Sequence, residues 1–125
     1  MSPRSVALAL GVAYASLTAV ELLIGEWSVG GVAVLDRTTK ANLLHWVVAL
    51  AMLGSFFAGS TTSRLACRTA GFLFLGLAAW GLLSAVSLGG VLGYPDAIPV
   101  SYRVLHALTA IVALVSGFRR GSQTG

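Results

Sequence analysis

Four runs of apolar residues dominate the chain, covering 6–24, 42–59, 69–88 and 102–118. A helix needs roughly 20 residues to cross the hydrocarbon core of a bilayer, with about 17–25 tolerated. The first and third runs meet this length. The second and fourth are at its short end and draw on flanking residues. Glu21 is the only charge in the first run, and the third has none. Lipid offers no partner to open backbone groups, so each run is expected to form a helix. No period-two alternation of the kind that marks barrel strands is visible. The pattern predicts an all-α membrane protein, a four-transmembrane-helix bundle in a single domain over residues 1–125.

Composition supports this reading. The chain is 57% hydrophobic and 10% charged, whereas soluble domains average about 25% charged residues. A chain this short has too much surface to hide so much apolar material from water.

Charge adds a direction. Arg4 precedes the first run, Arg64 and Arg68 lie between the second and third, and Arg119 and Arg120 follow the fourth, with no acid among them. The other side carries Arg37, Lys40 and Arg103, together with Glu21, Glu26, Asp36 and Asp96. Lys and Arg gather in cytoplasmic segments. The expectation is a multi-pass plasma-membrane protein with both termini cytoplasmic and two longer outer loops, 25–41 and 89–101. The net charge of +4 then reports topology, not a nucleic-acid surface. Arg4, the apolar stretch after it and Ala13-Tyr14-Ala15 also resemble a signal peptide with a cleavage site. The apolar run continues unbroken to Ile24, which speaks against cleavage. Residues 121–125 are small and polar and are expected to be disordered.

The two halves resemble each other. Gly11-Val12-Ala13-Tyr14 aligns with Gly71-Phe72-Leu73-Phe74, and Leu22-Leu23 with Leu82-Leu83. One added residue then brings Leu44-His45 onto Leu105-His106. Each half reads as an outward helix, an outer loop and an inward helix, giving two parallel-repeat helix hairpins. Gly11, Ala15 and Ala19 form one small-residue stripe, and Ser55 and Gly59 another, suited to ordinary bundle contacts.

Candidate chemistry is confined to the outer ends of the runs. Glu21 lies near the end of the first, and His45 and His106 near the starts of the second and fourth, all at similar depth. Asn42 and Arg103 each stand three residues before a histidine, on the same helix face, with Tyr102 and Thr109 nearby. Ionisable groups at such depth usually face the bundle interior and pair, so Glu21 is expected to pair with an imidazole or with Arg103. A structural role in fixing the bundle competes with a polar pocket for a ligand, ion or proton. Two histidines could also clamp a b-type haem or contribute to a metal site, and Glu21 could serve a small proton-coupled transporter.

Weaker features carry no chemistry. Trp27, Trp46, Tyr94 and Tyr102 read as an outer aromatic belt, and Trp80 as mid-span packing. Pro95 and Pro99 stiffen the last outer loop. Cys67 has no disulfide partner or zinc motif and reads as a small apolar residue. Gly89, Gly90 and Gly93 lack the strand and lysine of a phosphate-binding loop.

The Asn-x-x-His at Asn42–His45, with Leu44, and the Leu105-His106 pair, set among four short spans, resemble an actinobacterial membrane family catalogued as domain of unknown function 4383. The likeness would cover roughly Val6 to Phe118. Ala49 stands where a glycine is expected, and Arg103 where an acid or amide is usual. The resemblance implies a fold and a compartment but no activity or cofactor. With no catalytic constellation in view, the expected function is non-enzymatic, a structural or interaction role with lipid bilayer, other membrane proteins or a second copy as partners.

Overall fold

The computed structural model describes residues 2–119. In chain order these form α1 (Pro3–Ile24), β1 (Glu26–Val29), β2 (Val32–Asp36), α2 (Thr39–Ala58), α3 (Ser60–Leu83), α4 (Ala85–Val91) and α5 (Val100–Phe118). Helices α1, α2, α3 and α5 are long and apolar enough to cross a membrane. The bundle turns large apolar side chains outward along their length. Leu23, Leu82 and Leu83 are each about 85% exposed, and Phe57 is 77% exposed. Patches of this kind are rare on soluble monomers and suit a lipid surround.

Local signals set the helix ends. Ser2 accepts from the Ser5 N–H (3.1 Å) with Pro3 in the first turn, which starts α1. Thr38 does the same for α2 through the Ala41 N–H (3.1 Å), each cap satisfying an otherwise unpaired helix donor. Gly59, at φ 120°, is at once the last cap of α2 and the first of α3. This backbone geometry is one that side chains other than glycine's rarely allow. The chain therefore reverses at a single residue. The Ser63 hydroxyl closes the turn by donating to Ser55 O (2.9 Å).

This corrects the third span. It runs from Ser60 to Leu83, not 69–88, so Arg64 and Arg68 lie on the helix and not in a connecting loop. The apolar run past Leu83 breaks because Ser84 caps a new helix, accepting from the Ser87 N–H (3.2 Å). Hydropathy cannot mark that break, since α4 is itself apolar. Trp80 consequently lies in the last turn of α3, 37% exposed, with its indole N–H donating to Ser87 Oγ (3.3 Å).

The link between α1 and α2 also differs from expectation. It holds an antiparallel hairpin pairing Glu26 with Asp36, Trp27 with Leu35 and Val29 with Val32. Gly30 and Gly31 make the turn at φ 59° and 81°, the two positive angles that a tight hairpin turn needs. The hairpin is anchored rather than free. The Ser101 hydroxyl donates to Val34 O (2.7 Å), and the Tyr94 hydroxyl donates to Asp36 O (2.9 Å).

Helix α1 packs chiefly on α2, and α3 on α5. Close approach is possible because two helices offer glycine at the crossing. A Cβ on Gly11 would lie 2.7 Å from Leu53 Cγ, and one on Gly71 2.6 Å from Leu114 Cγ. In the stripe containing Gly11, Ala15 is half-buried and Ala19 exposed, so the glycine makes the contact. At the end away from the hairpin, arginines cap the carbonyls left open where α2 and α5 finish. Arg4 Nε donates to Phe56 O (2.9 Å) and its guanidinium lies over the Phe56 ring. Arg68 Nε donates to Gly117 O (2.7 Å) and stacks on Phe118. Arg64 donates to Arg119 O (2.8 Å). Arg120 and residues 121–125 lie outside the described residues.

The core has two apolar parts. One, around Tyr14, Met52, Cys67 and Phe74, fills the middle of the bundle. The other, around Leu88, Leu92, Ile98 and Tyr102, lies under the hairpin and α4. Cys67 is fully buried and faces Pro3 O at 3.6 Å, so its place is that of a small core residue.

Candidate functional site

Between these two apolar parts lies a buried polar layer. Glu21 faces inward one turn before the end of α1 and is 0% exposed. His45 and His106 are each the seventh residue of their helices, α2 and α5, and each is 1% exposed. At 1.5 Å rise per residue, this is about 9 Å from the helix start, deeper than the apolar runs alone suggest.

Both carboxylate oxygens of Glu21 are engaged. Oε1 meets His45 Nδ1 at 2.9 Å, and Oε2 accepts from the Tyr102 hydroxyl at 2.7 Å. The same hydroxyl accepts from the Asp36 N–H at 3.2 Å. One carboxylate thus joins α1, α2, α5 and, through Tyr102, the β1–β2 hairpin. Tyr102 is 2% and Tyr94 4% exposed, so neither stands in an interfacial belt. Trp27, 52% exposed on the hairpin, does face outward. Tyr102 stands four residues before His106, a spacing that puts both on one face of α5, and this was the available sequence signal for its role.

A second strand of hydrogen bonds runs deeper. Thr109 Oγ1 donates to Leu105 O (2.8 Å) and is therefore the acceptor for the Tyr14 hydroxyl (2.7 Å). Thr18 Oγ1 donates to Tyr14 O. Asn42, buried on the same face as His45, reaches Thr18 O from Nδ2 at 3.4 Å.

His106 and Arg103 stand apart. The His106 ring lies 6.4 Å from that of His45 and 5.3 Å from that of Phe74, but both of its ring nitrogens are buried without a partner. Arg103 does not pair with Glu21. Its side chain lies along α3, where the missing Cβ of Gly81 leaves room for it, and its Nε is buried and unbonded. Of the five residues singled out in the sequence, Glu21 and His45 pair directly, and Asn42 belongs to the second strand of hydrogen bonds through Thr18 O. His106 borders that pair, and Arg103 faces elsewhere.

Glu21, His45 and His106 are buried, and both Glu21 oxygens are bonded. None of four surface grooves, of about 130 to 540 Å³, is lined by Glu21, His45 or His106. A haem clamped by the two histidines does not fit. The Tyr14, Tyr102 and Phe74 rings occupy the space beside the imidazoles at centroid distances of 5.3–5.7 Å. Among the described residues, no three His, Cys, Asp or Glu side chains come together as a metal site would need.

No protein-family model, curated protein or solved structure matches this chain.

Proposed function

We propose that this chain is a non-enzymatic component of the plasma membrane, acting through contacts with lipid and with other membrane proteins or a second copy of itself. One observation carries this reading. The most chemically capable residue, Glu21, is fully buried, has both oxygens hydrogen-bonded and lines none of the four surface grooves described above. A buried carboxyl group bonded through both oxygens is an architectural joint, and breaking one side leaves a buried polar atom without a partner, at a cost. Glu21→Gln is expected to lower the unfolding temperature of the detergent-purified protein, with no change in absorbance spectrum or proteoliposome ion flux. Substrate turnover, proton flux that depends on Glu21, or a Soret band lost in His45→Ala would overturn it.

The accompanying topology is two parallel hairpins with both termini cytoplasmic. Paired contacts support the parallel arrangement. Gly11 meets Leu53 as Gly71 meets Leu114, and Arg4 caps α2 as Arg68 caps α5. The orientation rests on the arginines at the end opposite the hairpin. In a cysteine-free background, single cysteines at Thr61 and Ser28 are expected to react with an impermeant thiol reagent from inside and outside the cell, respectively. The reverse pattern would overturn the orientation.

A further inference from the structure

We infer that the groove between α3 and α5 holds one anionic phospholipid, with its phosphate on Arg103 and an acyl chain along the helices. This site is independent of the Glu21 network. Arg103 is the fourth residue of α5, about one turn, or 5 Å, from its start, where a headgroup would meet the span. Arg103 lines a groove of about 540 Å³ between the helices, bounded toward the hairpin end by Leu82 and Val100 and toward the other end by Leu75, Ala78, Val104 and Ala107. The alanines give the groove its width. Leu75 is 47% and Val104 51% exposed, so its open side faces the surround that the rest of the bundle presents to lipid.

Arg103 is the only charge in this apolar channel. Among the described residues its guanidinium forms no hydrogen bond or ion pair, and its Nε is buried. Arg4 and Arg68, by contrast, each use Nε on a helix carbonyl. Asn42, which also stands three residues before a histidine, turns inward to Thr18 O. An arginine with an unused buried donor at the edge of the hydrocarbon calls for an anion. The guanidinium fork matches phosphate oxygens, and a lipid supplies that phosphate together with the chain that fills the groove.

The test is native mass spectrometry of the detergent-purified protein equilibrated with equal amounts of phosphatidylglycerol and phosphatidylcholine of the same acyl chains. One phosphatidylglycerol per chain is expected to be retained with about fivefold preference, the effect of one basic residue on an anionic lipid. Arg103→Gln should abolish the preference, Arg103→Lys should keep part of it, and Arg64→Gln, at the opposite end, should leave it unchanged. Ala107→Phe fills the groove while keeping the guanidinium, so it should lower lipid retention even if Arg103→Gln proves unstable. The inference is overturned if phosphatidylglycerol is retained equally by Arg103→Gln or Ala107→Phe. Full displacement of the lipid by inorganic phosphate would overturn it too, since the anion alone would then be bound. So would a lipid-free dimer that Ala107→Phe dissociates, since a second copy would then occupy the groove.

Discussion

His45 and His106 differ by one carboxylate. His45 faces Glu21 at 2.9 Å, whereas His106 has neither nitrogen bonded. Replacing His45 by Phe strands a buried carboxylate oxygen and should cost about 3–5 kcal/mol. Replacing His106 by Phe removes two unsatisfied polar atoms beside the Phe74 ring and should be neutral to within about 1 kcal/mol, or stabilising. Thermal or denaturant unfolding of the two variants in the same detergent separates them. A large loss in His106→Phe would show that its nitrogens have partners in the membrane. Tyr94, in the loop between α4 and α5, allows a pH test. Burial, then the negative charges of Glu21 and Asp36, push its hydroxyl above its ordinary value of 10.0. The folded state thus keeps a proton that the unfolded chain releases, and stability should fall as pH rises through about 10. Tyr94→Phe should flatten that alkaline decline, while costing about 1 kcal/mol at neutral pH for the lost bond to Asp36 O. An unchanged alkaline slope in the variant would contradict this.

Among the helices, glycines that look alike in sequence do different work. Gly11 has Leu53 Cγ 2.7 Å and Leu53 N 3.1 Å from where a Cβ would sit, whereas nothing lies within 4 Å of one on Gly54. Gly11→Ala should push α1 off α2 and cost about 1–3 kcal/mol. Gly54→Ala should gain about 0.5–1 kcal/mol from helix propensity. Equal unfolding temperatures for the two variants would mean that the α1–α2 crossing is looser than described. The same crossing fixes how deep Glu21 and His45 sit relative to one another, so Gly11→Ala should also weaken their contact.

Taken as a whole, the molecule is held by a polar layer enclosed between apolar ones. Glu21 and Tyr102 tie the β1–β2 hairpin to three of the long apolar helices, while arginine caps close the other end. Because the outer surface of the bundle is apolar along its length, removal of detergent or lipid should cause aggregation, not a monodisperse folded species, as read by size-exclusion chromatography. The hairpin hangs on hydrogen bonds from Ser101, Tyr102 and Tyr94, so its position is coupled to the buried carboxylate that Tyr102 also contacts.

The four spans, the expected lipid surround and the shared depth of Glu21, His45 and His106 were legible in the residues alone. They depend on hydropathy and helical spacing, which act locally along the chain. Spacing also put Asn42 on the His45 face. The one-residue reversal at Gly59 and the break at Ser84 were hidden, because apolar residues continue across the end of one helix into the next. The Gly30-Gly31 turn was a local hairpin signal that the loop reading passed over. Partner choice was decided only in three dimensions. Helix rotation and the room beside Gly81 send Arg103 toward α3 and leave Glu21 to Tyr102, a residue 81 positions away. Such a choice depends on which side chains packing brings within 3 Å, and no one-dimensional pattern encodes that.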